Sequence, residues 1–241
     1  YLMISNGSGT LYLMPVWLGD HGGPEELPAV NCAHAARIDL WFAEQERTAR
    51  RMLRRMVPTI DLQQQEIHRF DKESTPQNAV DLLQRMASGR DAGVISEAGM
   101  PGIADPGSLL VREAHRRGVT VMPLAGPNSM MMALAASGAN GQRFTFHGYL
   151  PRTPQERKQS LRRIEADAMR LGGAELFMET PYRNDALLAE ILEVCDQHTQ
   201  LTIAVDLMQP GGSVSTRTVG QWNKARPLIG KRPAVFILAR P

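Results

Sequence analysis

The sequence predicts a two-domain α/β protein, and three observations carry that reading. From Thr10 to Gln142, short apolar runs alternate with segments of helical periodicity, the pattern of a mainly parallel sheet with helices on both faces. Beyond Gly138–Gln142 the rhythm changes, and the last strand candidates follow one another without helices, so a mixed sheet is expected in a C-terminal α/β domain. Two strand-to-turn-to-helix junctions, one leading through Gly93–Gly107 and one through Gly126–Ser129, fall at the same end of the first sheet. The expected divisions are a flexible leader at residues 1–9, an N-terminal domain at 10–142 and a C-terminal domain at 143–241.

Each element follows from local chemistry. Thr10–Val16 is apolar and β-prone and gives the first strand; Gly22-Gly23-Pro24 is loop, and Leu27–Ala36 a short helix. Leu40–Ala43 is the second strand. From Glu46 to Val57, Ala49, Met52, Leu53 and Met56 recur at helical spacing, which puts Arg47, Arg51, Arg54 and Arg55 on the opposite face. Glu66–Phe70 reads as a strand, and Thr75-Pro76 opens a helix to Met86 with Thr75 as N-cap. Ala92–Ile95 and Val119–Met122 are strands, each followed by a helix, the second helix being Met130–Ser137. Later strands are expected at Phe144–Tyr149, Glu175–Glu179, Leu201–Asp206, Val214–Thr218 and Ala234–Ala239. Among them stand one long basic helix and one helix with an apolar face through Leu187, Leu188, Ile191 and Leu192.

Composition excludes several classes of function. Hydrophobic residues make up 43% and charged residues 22%, ordinary values for a soluble globular chain. The absence of a long apolar span and of a signal-peptide pattern predicts a cytoplasmic protein with no membrane partner. Cys32 and Cys195 are far apart and form no CxxC, and the histidines are scattered, so neither a disulfide framework nor a metal site is expected. The formal charge of +2 conceals two basic segments. Arg47, Arg50, Arg51, Arg54 and Arg55 crowd one helix; Arg152, Arg157, Lys158, Arg162 and Arg163 crowd another. Both are candidate RNA contacts, because arginine and lysine on phosphates supply most non-specific RNA affinity.

The stretch Gly93–Gly107 is the most informative. Its loop holds three glycines and two prolines in the nine residues from Gly99 to Gly107, so its path is both permissive and fixed. Such a loop can hold a ligand through main-chain groups at the carboxyl end of a strand. No GxGxxG follows the first strand and no Walker motif is present, which argues against a dinucleotide or nucleoside-triphosphate site.

Taken in order, Leu11–Pro15, Ser96–Gly107, Gly126–Ser129, Phe146–Pro151 and Glu179–Arg183 resemble the tetrapyrrole-methylase superfamily of S-adenosylmethionine-dependent methyltransferases. The chain is most similar to the branch that methylates a cytidine ribose 2′-hydroxyl of small-subunit ribosomal RNA. The resemblance implies a two-domain homodimer with the methyl donor between the domains. It places donor-binding positions on Pro15, Ala98, Gly99, Met100, Ile103, Asn128, Ser129, Glu179, Met208 and Ala234. The implied partner is RNA or the ribosomal small subunit. Polar positions in Pro15–Asp20, Glu44–Arg47, His68–Asp71 and Glu179–Arg183 depart from the branch's usual sequences, which predicts divergence on the acceptor side.

His68, Glu44, Arg47 and Arg183 are the catalytic candidates. Each has a structural alternative: a hydrogen-bonded half-buried histidine, an ion pair between Glu44 and Arg47, and a brace for the donor site by Arg183. Glu97 and Asp105 flank the glycine-proline loop, and for them capping and loop-bracing explain more than acid/base work. Three functions stay open at this level. They are an RNA 2′-O-methyltransferase, a methyltransferase of a tetrapyrrole or other small molecule, and a non-catalytic donor- or RNA-binding protein.

Overall fold

The computed structural model describes residues 9–241, so most of the expected leader lies outside the described residues. The described chain divides into two compact units after Pro127. The first contains β1 (Thr10–Met14), α1 (Ala29–Arg37), β2 (Leu40–Ala43), α2 (Glu46–Met56), β3 (Glu66–Arg69), α3 (Pro76–Gln84), β4 (Ala92–Ile95), α4 (Gly107–Arg116) and β5 (Thr120–Pro123). Its strands form one sheet in the order β3-β2-β4-β1-β5, and every pairing is parallel.

Helices cover both faces of this sheet. On one face Met14, Trp41, Ile67 and Ile95 pack with Ala35, Ala49, Met52 and Leu53 from α1 and α2. The other face joins Leu11, Phe42 and Val94 to Leu82, Leu83, Leu110 and Ala114 from α3 and α4. Burial on both faces explains why β2 and β4 are uninterrupted apolar runs, each residue of which is buried. Gly93 is required where β4 passes Trp41, because an added Cβ would lie 2.2 Å from the indole ring. α3 starts as expected: the Thr75 hydroxyl accepts from the Asn78 N–H and the Asn78 side chain accepts from the Thr75 N–H, with Pro76 in the first turn.

The second unit contains α5 (Ser129–Ser137), β6 (Phe144–Tyr149), α6 (Pro154–Leu171), β7 (Ala174–Met178), α7 (Asn184–Val194), β8 (Gln200–Val205), β9 (Ser213–Thr218), α8 (Val219–Lys224) and β10 (Ala234–Ala239). Its sheet runs β6-β7-β10-β8-β9, with β6 and β7 parallel and the other pairings antiparallel. The mixed character agrees with the sequence. α8 does not, because the last strands were expected to follow one another without a helix. The break between units also falls earlier than residue 142: α5 packs Met130, Ala133 and Leu134 against Leu176, Ala204, Val235 and Ile237 of the second sheet. On the opposite face α6 and α7 bury Leu161, Ile164, Leu188 and Ile191 against Phe177, Ile203 and Phe236.

β3 carries a charged network on its outer end. Glu66 accepts from Arg85 at 2.7 Å and Arg90 at 2.6 Å, and His68 Nε2 lies 2.7 Å from Glu66 Oε1. The His68 and Arg90 hydrogen bonds hold the Glu66 carboxyl down at about 2, against 4.5 for an ordinary glutamate. A depressed carboxylate stabilises the fold above its unfolded value, and that stability is lost as pH falls through the folded value. Glu66→Gln is therefore expected to lower Tm at neutral pH, with the gap to wild type closing between pH 4.5 and about 2. Thermal unfolding across that range checks it; a gap that stays constant would overturn the assignment.

Candidate functional site

In the first unit the glycine-proline loop leaves β4 at the carboxyl end of the parallel sheet. Val16, two residues past β1, donates its N–H to the Gly99 carbonyl at 2.9 Å, closing a short bridge that ties the loop to the chain after β1. Gly99 and Gly102 adopt φ of +69° and +82°, conformations open to glycine at little cost. Asp105 Oδ1 accepts from the N–H groups of Gly102 at 2.6 Å and Gly107 at 2.8 Å, which fixes the turn into α4. Burial raises the Asp105 pKa while these two donors oppose the rise, so its role is bracing, as expected. The Ser96 hydroxyl lies 3.3 Å from the Ala98 carbonyl and adds to the closure.

Pro15 is buried, and Gly126 packs so closely on it that an added Cβ would sit 2.4 Å from the proline ring. Ala98 and Ile103 are exposed, Met100 is half-buried and Gly99 is buried, so the loop offers apolar side chains and main-chain polar groups together. Ala104 adopts φ +59°, a left-handed conformation that costs a non-glycine residue roughly 1–2 kcal/mol. In the second unit Asp206 and Met208 do the same, at +48° and +63°. Strain of this kind concentrates where a ligand site fixes the backbone.

The second unit contributes a different feature. Glu179 follows β7, and its carboxylate is fully buried. Its Oε1 accepts from Arg183 Nη2 at 2.5 Å and from the Thr180 N–H at 2.7 Å, whereas Oε2 is buried without a partner. A buried carboxylate oxygen left unpaired is costly, and it suits a ligand that brings a hydrogen-bond donor. Asn128 caps α5, its side-chain oxygen accepting from the Met131 N–H at 3.1 Å, and the Ser129 hydroxyl lies 3.2 Å from the Met130 sulfur. Met208 is exposed and Ala234 is buried at the start of β10.

The catalytic candidates separate. His68 is engaged by Glu66, which favours its structural reading. Glu44, just past β2, is half-buried; burial first, then the charges of Asp105, Glu97 and Asp71, raise its pKa. Arg47 is exposed on α2. Arg183 braces Glu179.

Several arginines named as RNA contacts are taken up internally. Arg157 is buried and pairs through two nitrogens with Glu190, both at 2.6 Å, which removes it from any RNA-facing surface. Arg55 stacks over the Trp17 ring and donates to the Gly22 carbonyl; Arg50 and Arg54 donate to the carbonyls of Leu62 and Pro58. Lys158 pairs with Glu193. Arg51, Arg152, Arg162 and Arg163 are exposed, on the surface where phosphate contacts were expected. The sequence reading passed over Lys231, whose ammonium lies 5.2 Å from the Tyr182 ring centroid. Its signal was the turn Gly230-Lys231-Arg232-Pro233 before the last strand.

The profile of the family described as Tetrapyrrole (Corrin/Porphyrin) Methylases matches residues 22–218. The chain belongs to this family. As a tetrapyrrole methylase it is an S-adenosylmethionine-dependent methyltransferase. A relative from Escherichia coli O157:H7, named ribosomal RNA small subunit methyltransferase I, is 29% identical over 90% of this chain and 71% of its own length. One of the same name from Halalkalibacterium halodurans is 31% identical over 80% of this chain and 63% of its own length. Among solved structures, a diphthine synthase superposes with a TM-score of 0.68 at 14% identity, covering 96% of this methylase and 90% of that chain. The methyltransferase CobJ does so with a TM-score of 0.63 at 20% identity, covering 98% and 95%. These two likenesses establish the fold. Each unit by itself holds a feature that suits a methyl donor: in the second, Glu179 Oε2 is a buried acceptor without a partner, and in the first the glycine-proline loop presents the exposed Ala98 and Ile103.

Proposed function

We propose that this methylase transfers a methyl group to a ribose 2′-hydroxyl of small-subunit ribosomal RNA. The likeness over 90% of the chain to a relative named for that RNA carries the acceptor. When bound, S-adenosylmethionine would supply an electrophilic methyl: the acceptor oxygen attacks that carbon in line with the sulfur, which leaves as a neutral thioether while the hydroxyl gives up its proton. The chain's work is then alignment. On this reading the Ser96–Gly107 loop and Pro15 hold the donor by shape, Glu179 binds a donor N–H or O–H through Oε2, and Arg183 holds the Glu179 carboxylate in place. Asn128, Ser129, Met208 and Ala234 stand as further donor contacts.

A ribose hydroxyl is a poor nucleophile at neutral pH, so a nearby proton acceptor speeds the reaction. Glu44 fills that role better than His68 does, because its raised pKa brings it toward the working pH while His68 is held by Glu66. Exposed Arg47, Arg51, Arg152, Arg162 and Arg163 remain available to phosphates. A cytoplasmic homodimer completes the proposal; among the described residues no helix is long and apolar enough to cross a membrane.

Labelled methyl transfer from S-adenosylmethionine to isolated small subunits and to their RNA tests this directly. Incorporation at a ribose 2′-oxygen, with kcat reduced about a hundredfold in Glu44→Gln, is the expected result. Donor binding without incorporation into any RNA would overturn it. The burial of Arg157 against Glu190 favours a second reading, a small-molecule acceptor, since it takes a cation out of the basic surface. Acceptor binding that weakens steeply with salt separates the two, because only contacts to many phosphates release many counterions.

A further inference from the structure

From residue 207 to residue 241 the sequence contains no Asp or Glu and six Lys or Arg. Within this stretch the loop between α8 and β10 meets the turn Pro181–Arg183 of the same unit. Tyr182 is 78% exposed, and the Lys231 ammonium stands 5.2 Å from its ring centroid. An aromatic ring this exposed contributes little to folding. With Lys231 over one face of the ring, the opposite face is left for stacking, and the cation strengthens attraction to an electron-rich ring or a phosphate.

The loop is rigid although it has no regular structure. Asp185 Oδ1 and Oδ2 accept from the N–H groups of Ile229 at 2.9 Å and Gly230 at 3.0 Å. Asn184 Nδ2 donates to the Arg232 carbonyl at 2.7 Å, and Arg226 Nη2 donates to the Asp185 carbonyl at 2.8 Å. Arg232 turns back to the Ile229 carbonyl at 2.8 Å. The Asp185 carboxylate is thus spent on main-chain donors, and Lys231 and Arg226 keep donors free on the outside. Ordering such a surface on binding costs little entropy.

We propose that Tyr182 and Lys231 form a platform that stacks one unpaired base of the RNA acceptor and pairs with an adjacent phosphate. The proposal rests on the RNA reading above and adds the element that receives a single-stranded nucleotide. Tyr182 lies three residues after Glu179 in the sequence, so the platform and the carboxylate that Arg183 braces belong to one turn. A base has a π face whatever its identity, which makes the contact an anchor for the strand rather than a reader of sequence.

The test is binding of a fluorescent fragment of small-subunit ribosomal RNA across a salt series, with S-adenosylmethionine affinity measured by calorimetry on the same samples. Tyr182→Ala is expected to weaken RNA binding about tenfold or more, and Tyr182→Phe to retain it. Lys231→Ala is expected to flatten the dependence of log affinity on log salt by about one unit. Wild-type RNA binding that Tyr182→Ala leaves unchanged, with donor affinity intact, would overturn the platform alone. A wild-type protein that binds S-adenosylmethionine but neither binds nor methylates RNA would overturn the RNA reading and the platform with it. Because Tyr182 is so exposed, its variants are expected to keep the wild-type Tm, and that measurement excludes misfolding as the cause.

Discussion

Glu190→Ala is expected to destabilise the second unit by about 3–5 kcal/mol. Arg157 and Glu190 join α6 to α7 through a two-pronged ion pair at 2.6 Å, with side chains only 5% and 11% exposed. Removing the carboxylate leaves the guanidinium buried with only the carbonyls of Pro151 and Arg152 to accept from it. The double variant Arg157→Met, Glu190→Leu exchanges the pair for apolar groups and is expected to recover most of the loss, since desolvating two charges offsets much of their attraction. Thermal and urea unfolding of the two proteins provide the check. A double variant as unstable as the single one would show that the pair's geometry, rather than its uncompensated charge, is what matters.

Glu179→Gln is expected to reduce S-adenosylmethionine affinity at least tenfold, on the scale of about 1.5–3 kcal/mol for a hydrogen bond to a charged group. The variant has a distinctive signature. In the absence of donor its Tm should stay close to that of wild type, because the smaller desolvation cost of an amide at the unpaired position offsets the weakened pairing with Arg183. Saturating donor should then raise Tm far less than in wild type, since the shift follows RT ln(1 + [L]/Kd). Calorimetry of binding together with scanning of both forms decides it. An undiminished ligand-induced shift would remove Glu179 from the donor site.

Much of the architecture was legible because both sheets bury their central strands on two sides. Leu40–Ala43 and Ala234–Ala239 are unbroken apolar runs, and no other local structure accounts for them as economically. What pattern alone could not place was α5. Ser-Met-Met-Met-Ala-Leu-Ala-Ala-Ser is apolar on nearly every side, so it gives no direction, and only packing assigns it to the second sheet. α8 has a local signature in Thr218 and Gln221, which form a capping box with the Thr-x-x-Gln spacing that starts helices. Its six residues are too few for periodicity to register.

The site divided along a similar line. Glycine and proline act on the backbone locally, so the Gly99–Gly107 turn and its Asp105 brace could be read from residue types. Arginine does not work that way. Arg157 and Arg162 stand on one helix with the same side chain, yet one is buried against Glu190 and the other faces outward. Spacing within α6 puts Arg157 on the stripe of Leu161, Ile164 and Ala168, but it does not show the carboxylate 33 residues away that pairs with it there. The orphaned oxygen of Glu179 is likewise a property of its packed surroundings.

The strand order of the second sheet constrains the sequence of events during synthesis. β10 lies between β7 and β8, so those two strands have no direct pairing and wait for residues 234–239 to join them. The first unit has all five of its strands once residue 123 has been made. It can close while the ribosome is still producing the remainder, whereas the edges that β7 and β8 offer to β10 stay open until Ala239 is made, about 60 residues after Met178 and about 35 after Val205. The nascent second unit is therefore the stage most open to misassociation. Slowing translation near Ala234 should prolong that interval and increase dependence on chaperones, without altering the finished protein.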